Sequence, residues 1–172
     1  MQATDRRGRM VQDTATCVLT PERLFDLLAD PTERQKWDLG PPYVEQEPLA
    51  AAPGPALQGA RYTGRGTARG IGYVVLAAVT AAERPHRYEM RTETRFERAY
   101  PSAVAIEEYR IEPSGTGSLV HYTVTFVKTP GTGTPLMRLL SAVLEPVTAP
   151  RIARGNFRNT LRYAEKHVGA SA

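Results

Sequence analysis

The stretch TPERLFDLLADP, residues 20–31, decides the fold because it predicts a short amphipathic helix that needs a partner. Thr20 is placed to cap the first free backbone amides, and Pro21 suits the first helical position because it has no N–H to lose. Pro31 predicts that the helix ends near residue 28. A helix this short is unstable in water on its own, so it must lie on a sheet. Its apolar face consists of Leu24, Phe25, Leu27 and Leu28.

Strand and helix patterns lie on both sides of this helix. Residues 10–19 predict a first strand, whose inward face also carries the acidic Asp13. A second short helix is expected over about residues 31–36. Proline and glycine clusters at residues 40–42 and 52–55 leave room for one short strand near residues 43–47. The inward positions of the first strand are Val11, Asp13, Ala15, Cys17 and Leu19.

From residue 59 onward the pattern is that of an antiparallel meander. Strands are predicted over residues 60–68, 73–83, 87–96, 102–112 and 118–128, with glycine-containing turns between several of them. Residues 87–96 alternate without a break, which predicts one face in solvent and one facing inward. The inward set of that strand is Tyr88, Met90, Thr92, Thr94 and Phe96, and that of the last strand is Val120, Tyr122, Val124 and Phe126.

Glu107 is the most unusual inward residue of the meander. The strand phase that turns Tyr109 and Ile111 inward also turns Glu107 inward, where a carboxylate is costly unless it is paired or neutralised. Glu107 therefore either meets water or an arginine, or is a functional group. Val104 and Ile106 favour the opposite phase, or a bulge near Glu107, so these alternatives stay open for this strand.

The C-terminal segment, about residues 135–168, is helical in pattern but contains Pro146 and Pro150. Proline inside a helix removes a hydrogen bond and clashes with the preceding turn, so two helices or one sharply kinked helix are expected. The inner stripe of the segment consists of Ala153, Phe157, Thr160, Leu161, Ala164 and Val168. The segment also has a basic face. We interpret this face as a solvated surface in preference to a docking surface. It consists of Arg151, Arg154, Arg158, Arg162 and Lys166.

Length and composition set the outer bounds. At 172 residues, with 41% hydrophobic and 23% charged residues, the chain fits one domain over residues 10–168, between a basic tail (1–9) and a short tail (169–172). No apolar run approaches the roughly 20 residues that span a bilayer, and no secretory signal is visible, which predicts a cytoplasmic protein.

Cys17 has no partner for an internal disulfide and is expected to be a small buried hydrophobe. His86, His121 and His167 lack ligand spacing, so no metal is expected.

The formal net charge of +4 does not by itself indicate a nucleic-acid partner. No aromatic-interleaved basic strand, zinc-finger spacing or recognition-helix pattern accompanies the charge, so no nucleic acid is expected. An RNA- or ribosome-linked role would rest on the charge alone. The sequence also contains no catalytic-triad spacing, phosphate-binding glycine loop or dinucleotide fingerprint, and no cofactor is expected.

Four stretches together resemble the START-like, Bet v 1-like superfamily, and within it the bacterial polyketide cyclase/dehydrase and lipid-transport group. They are LTPERLFDLLADPTERQKWD, GARYTGRG, AAERPHRYEM and EYRIEPSGTGSLVHYTVTF, and the resemblance covers roughly residues 11–167. It implies an α+β helix-grip fold, in which a curved antiparallel sheet of about seven strands wraps around a long C-terminal helix. Two short helices after the first strand and a hydrophobic cavity between sheet and helix are implied with it.

Two functional hypotheses follow from the resemblance. The first is an enzyme that assists cyclisation and dehydration of a polyketide-like substrate, with Glu107 and Asp13 as proton movers unless they pair with arginines. The candidate donors or orienters are Tyr122, Tyr109, Tyr88 and Tyr62. The second is a non-catalytic lipid, quinone or pigment carrier or sensor, for which the basic helix face would favour contact with an anionic membrane. A monomer and a homodimer are both compatible with an exposed edge strand. The candidate ligand-binding residues are Trp37, Tyr62, Tyr73, Tyr88, Met90, Thr92, Phe96, Tyr109, Phe126, Phe157 and Leu161.

Overall fold

The computed structural model describes residues 8–37, 44–46, 51, 53–68, 70–97, 102–127 and 135–168. Within these ranges the elements follow the predicted order. The strands are β1 (Gly8–Cys17), β2 (Val44–Gln46), β3 (Arg61–Ala68), β4 (Ile71–Glu83), β5 (Arg87–Phe96), β6 (Ala103–Ser114) and β7 (Gly117–Val127). The helices are α1 (Pro21–Ala29), α2 (Pro31–Trp37) and α3 (Pro135–Val168).

The seven strands form one antiparallel sheet in the order β1-β7-β6-β5-β4-β3-β2. From β2 to β7 each strand lies beside its predecessor, and β1 completes the row by pairing with β7. Helix α1 contacts β5, β6 and β7, and α3 contacts β1 and α2. The core lies between the inner face of the sheet and these helices. This arrangement confirms the predicted helix-grip fold.

Helix α1 begins and ends where its two flanking prolines place it. Pro21 opens the helix, which ends at Ala29, and the four residues of the predicted apolar face are all buried. Thr20 is the N-cap by its extended backbone, but its side chain makes no capping hydrogen bond, so the expected role of its hydroxyl is wrong. The first intrahelical hydrogen bond is the ordinary one, in which the Leu24 amide donates to the Thr20 carbonyl at 3.0 Å.

Asp30 joins α1, α2 and the segment around Gly54. Its Oδ1 accepts the Thr32 and Glu33 amides at 2.8 and 3.2 Å, which caps α2, and its Oδ2 accepts the Gly54 amide at 2.7 Å. Burial disfavours the charged carboxylate, but these bonds and one from the Thr32 hydroxyl outweigh burial and hold the pKa of Asp30 below its ordinary value. One carboxylate therefore ties the segment at Gly54 to the start of α2, where α1 ends.

The phases of β5 and β7 follow the alternation in the sequence. Strand β5 has the predicted bounds, and its inward Tyr88 and Met90 are each 1% exposed. In β7 the inward Val120, Tyr122 and Val124 are buried. The predicted inward faces are therefore the faces that meet the helices.

Strand β6 faces inward with Glu107, Tyr109 and Ile111. Its pairing with β5 and β7 is continuous in register, so the opposite phase and the bulge near Glu107 are both wrong. A bulge lies instead in β4, where the register shifts between Val79 and Ala81. Continuous pairing keeps Glu107 on the inner face although its side chain is charged.

Glu89 corrects the expectation that the whole outer face of β5 lies in solvent. The residue is only 8% exposed because the Thr80 hydroxyl donates to its Oε1 at 2.7 Å and Arg87 donates to its Oε2 at 2.9 Å. Arg87 also donates to Glu108 of β6 at 2.6 Å. Polar side chains on neighbouring strands thus reduce one another's exposure on the outer face of the sheet.

Helix α3 is one continuous helix, so the two-helix alternative is wrong. Pro146 and Pro150 lie about one turn apart, so the amide donors that they lack lie on the same side of the helix. The Val168 side chain lies outside the described part of the structure. The other members of the predicted stripe are buried, namely Ala153, Phe157, Thr160, Leu161 and Ala164.

Gly117 begins β7 at a point where a side chain has no room. A Cβ at this position would lie 2.2 Å from the Cys17 carbonyl oxygen of β1.

Gly117→Ala is therefore expected to lower the free energy of unfolding by about 1–3 kcal/mol in urea denaturation. Gly155→Ala in α3 is the control, because nothing lies within 4 Å of the added Cβ, and it should raise that free energy by about 0.5–1 kcal/mol. Equal effects of the two changes would contradict the close approach of β1 and β7.

Candidate functional site

Three tyrosines lie side by side on the inner face and form what we call the tyrosine row. Tyr88 of β5 pairs with Tyr109 of β6, which pairs with Tyr122 of β7, and the three are 1–3% exposed. Phe157 of α3 stacks on Tyr122 with ring centroids 4.9 Å apart and 5° between the planes. Phe25 of α1 meets Tyr88 edge-on at 6.1 Å. Aromatic rings therefore fill this end of the sheet as a solid core.

Farther along the same strands the inner face is only half-buried. Thr92 lies four residues beyond Tyr88 on β5, and Phe126 lies four residues beyond Tyr122 on β7. Tyr73 of β4 and Phe96 of β5 pair across the strands, with ring centroids 6.2 Å apart. We call this region the half-buried wall, and it consists of Tyr73, Val75, Thr92, Thr94, Phe96, Ala105 and Phe126.

Glu107 lies at the boundary between the tyrosine row and the half-buried wall. Its register partners Met90 and Val124 are each 1% exposed, whereas the Glu107 side chain is 20% exposed. Arg34 of α2, with a side chain 8% exposed, donates from Nη2 to Glu107 Oε2. The Tyr109 hydroxyl lies 3.5 Å from the same oxygen, at the outer limit of a hydrogen bond. A charged pair is thus held where dry core gives way to accessible surface.

The hydroxyls of Tyr62 and Tyr88 lie next to this charged pair. Both approach the Met90 sulfur, that of Tyr88 at 4.0 Å. Burial raises the pKa of Tyr88 far above its ordinary value, and Tyr62 raises it further, although the nearby Arg34 acts in the opposite direction. Tyr88 therefore stays a neutral hydroxyl at physiological pH.

Asp13 faces inward but lies apart from Glu107. It is on the edge strand β1, opposite Tyr122, whereas Glu107 is two strands away on β6. Arg158 of α3 donates to Asp13 Oδ2 at 3.2 Å, and the Thr14 amide lies 3.0 Å from Oδ1. Both candidate carboxylates therefore pair with an arginine, and they do not form one site.

The candidate ligand-binding residues fall into two groups. Those in the core are Tyr88, Met90, Tyr109, Phe157 and Leu161. Those on the half-buried wall are Tyr73, Thr92, Phe96 and Phe126, and Tyr62 is half-buried on neighbouring β3. The side chain of Trp37 lies outside the described residues. Contact with a ligand stays a prediction for both groups.

Arg34 is the residue of this site that sequence reasoning missed. A signal for it was present, because an inward Glu107 requires water or an arginine nearby. The chain holds many arginines, however, and Arg34 lies 73 residues from Glu107 in the sequence. Only the docking of α2 on the sheet identifies it as the partner.

Several features lie outside this site. The five basic residues of α3 are all exposed, and Cys17 is buried, which raises the pKa of its thiol. Among the residues described, no three His, Cys, Asp or Glu side chains come together as a metal site. None of the described helices combines the length and the apolar character needed to cross a bilayer.

Comparison with known proteins gives a family and a set of similar folds. Residues 9–168 match the family model for polyketide cyclase/dehydrase and lipid transport. Ms6760 from Mycobacterium smegmatis is 19% identical, with 99% of this chain and 97% of that chain covered and a TM-score of 0.63. TTHA0849 from Thermus thermophilus is also 19% identical, with 95% and 100% covered and a TM-score of 0.60. Ara h 8.0201 is 17% identical, with 91% and 97% covered and a TM-score of 0.53.

At these identities the structural likeness shows the fold alone. A comparison with curated proteins gave no significant match. The site therefore has to be interpreted from its own residues.

Proposed function

Because the chain belongs to the polyketide cyclase/dehydrase and lipid-transport family, whose fold is suited to binding hydrophobic ligands, we propose that it binds a small, mostly apolar molecule against the half-buried wall. The Arg34–Glu107 pair supplies the polar contact at the inner end of that wall. The wall offers apolar and aromatic side chains together with two threonine hydroxyls, which is the usual composition of a small-molecule site.

The observation that carries this proposal is the change in burial along the inner face. Side chains are nearly inaccessible at the tyrosine row and half-buried four residues farther on, at Thr92 and Phe126. Apolar groups on the inner face that keep solvent contact gain free energy when a ligand covers them, by about 25 cal/mol per Å². A ligand of this kind would extend the core outward from Glu107.

Catalysis of cyclisation and dehydration is the finer form of the proposal. Aldol cyclisation requires that a proton leave the carbon beside a carbonyl, and dehydration requires that the departing hydroxyl receive one. Glu107 is the carboxylate at the inner end of the wall, and Arg34 acts on it as a positioning residue. Tyr122 is 3% exposed beneath Phe157, and Asp13 pairs with Arg158, so the proposal gives neither a catalytic role.

A carrier or sensor is the second candidate function, because it needs the same wall and no proton transfer. One observation favours it: Glu107 Oε2 is already engaged by Arg34 and approached by Tyr109, so a proton acceptor would have to be the other oxygen. The two functions differ in whether Glu107 is needed for turnover or only for the shape and polarity of the site.

Ala105→Trp is expected to block the proposed site, because the indole would occupy the space in front of the wall. Titration with the neutral fluorescent probe 1-aminoanthracene should show affinity at least about tenfold weaker than for the unsubstituted protein, a loss of about 1.4 kcal/mol. Native against denaturing mass spectrometry should show that any co-purified compound is lost as well.

Ala78→Trp is the matched control, since the same substitution then lies on β4 with its side chain on the outer face. It should leave probe binding unchanged. If the Ala105→Trp protein is folded by circular dichroism and binds the probe as tightly as the Ala78→Trp protein, the wall is not the binding surface.

Glu107→Gln separates the enzyme from the carrier. With a poly-β-keto cyclisation substrate, turnover should be abolished, because glutamine cannot accept the proton, while affinity for 1-aminoanthracene changes by less than about tenfold. Product formation is followed by liquid chromatography with mass detection. Persistent turnover in this variant would remove the acid/base role and favour the carrier.

A further inference from the structure

We propose that the ligand of this site is a neutral molecule with a hydroxyl group that donates a hydrogen bond to Glu107, and that the site excludes carboxylate analogues of the same shape. This inference rests on the proposed function, because it concerns the ligand at the half-buried wall. It adds a chemical class, since a hydroxylated ring system or a sterol-like alcohol would fit and a fatty acid would not.

The first argument is the unequal exposure of the two charged partners. The Glu107 side chain is 20% exposed, against 8% for Arg34. Of its inner-face neighbours on β6, Tyr109 is 2% exposed and Ala105 of the wall is half-buried, so the accessible side of Glu107 is the one next to the wall. Its hydrogen bonds with the described residues use Oε2. Oε1 is therefore the oxygen left to accept a bond from a ligand, and a carboxylate accepts strongly from a hydroxyl.

The second argument is the charge that a ligand would meet along the wall. The described members of the half-buried wall carry no cation, and the tyrosine and threonine hydroxyls there are neutral. Arg34 is already paired with Glu107, and Arg9, at an inward position of β1, is exposed and hydrated. A ligand carboxylate beside Glu107 would place two like charges in a poorly solvated space, which is unfavourable.

The third argument is the position of the threonine hydroxyls. Thr92 and Thr94 lie on the inner face of β5, and Thr92 is two residues beyond Met90, the register partner of Glu107. A hydroxyl can donate or accept, so these groups suit a second hydroxyl or a carbonyl farther along the ligand. The polar contacts of the wall therefore run from an acceptor at its inner end to neutral groups at its outer end.

The test compares three ligands with one ring system at pH 7: phenanthren-9-ol, phenanthrene and phenanthrene-9-carboxylate. At this pH the hydroxyl of phenanthren-9-ol, called the alcohol below, is neutral, and the carboxyl group of the third ligand is ionised. Dissociation constants are measured by fluorescence titration. The alcohol is expected to bind about tenfold more tightly than the hydrocarbon, and the carboxylate at least about tenfold more weakly than the hydrocarbon.

The double variant Arg34→Met/Glu107→Leu tests the assignment of the acceptor. Replacing both partners removes the charged pair without leaving either charge alone, so the variant should fold. In it the advantage of the alcohol over the hydrocarbon should disappear. Binding of the carboxylate as tightly as the alcohol, or an alcohol advantage that persists in the double variant, would overturn the inference.

The same titrations separate this inference from the proposed function. If Ala105→Trp weakens 1-aminoanthracene binding but the three phenanthrenes bind alike, the wall is a binding site and only the hydroxyl preference is wrong. If no phenanthrene binds and Ala105→Trp has no effect on the probe, both the proposed function and this inference are wrong.

Discussion

Arg34→Met is expected to lower the free energy of unfolding by about 2–4 kcal/mol, because it leaves the Glu107 carboxylate inside the sheet without its counter-charge. The loss should be somewhat smaller than for a fully enclosed pair, since the Glu107 side chain keeps 20% of its exposure. Urea denaturation followed by circular dichroism measures the change.

Two further variants show whether the loss comes from the unpaired charge. Lys36→Met removes an exposed partner of Glu33, 2.5 Å away on the same helix, and should cost less than about 1 kcal/mol. The double variant Arg34→Met/Glu107→Leu should recover most of the stability lost in Arg34→Met. An Arg34→Met protein as stable as the Lys36→Met protein would show that the pair is not formed in solution.

Phe157→Ala is expected to cost about 3–5 kcal/mol, because it removes the ring that joins α3 to the sheet. Phe157 is 1% exposed, stacks on Tyr122 and lies 6.4 Å from the ring of Tyr109. The expected readout is a lower urea midpoint with an unchanged slope.

Phe157→Leu keeps most of the buried volume and should cost about 1.5 kcal/mol or less. Ile152→Ala truncates an apolar side chain of the same helix that is 56% exposed, and should change stability by no more than about 0.5 kcal/mol. A Phe157→Ala protein that matches Ile152→Ala would mean that the C-terminal half of α3 does not pack on the sheet as described.

The parts of the fold that sequence predicted well are those that local chemistry specifies. Helix α1 follows from two prolines and one apolar face, and β5 has the predicted bounds because its alternation is unbroken. The inward position of Glu107 also follows from alternation, once Tyr109 and Ile111 set the phase. In each case neighbouring residues carry the signal.

The errors arose where distant parts of the chain decide. Helix α3 continues through Pro146 and Pro150, so of the two alternatives that local rules predict, two helices or one kinked helix, the first is wrong. Glu89 is covered by Thr80 of β4 as well as by Arg87 of its own strand, and Thr80 lies at the bulge in β4 that the alternation of β5 does not encode.

The candidate site was predictable in its residue types and not in its assembly. The inward set of β5 was correct, but only the packed structure divides it into core residues such as Tyr88 and wall residues such as Thr92. The identity of Arg34 as the partner of Glu107 depends on how α2 docks, which no local pattern encodes.

The pairing of β1 with β7 has a consequence for synthesis of the chain. Cys17 and Ser118 are register partners, so the first strand leaves the ribosome about 100 residues before the strand that covers it. At roughly 5–20 residues per second the delay is about 5–20 s, during which Val11 and Cys17 have no sheet to join. The nascent polypeptide therefore needs protection from aggregation until β7 has been synthesised, and a chain truncated before β7 could not pair its first strand.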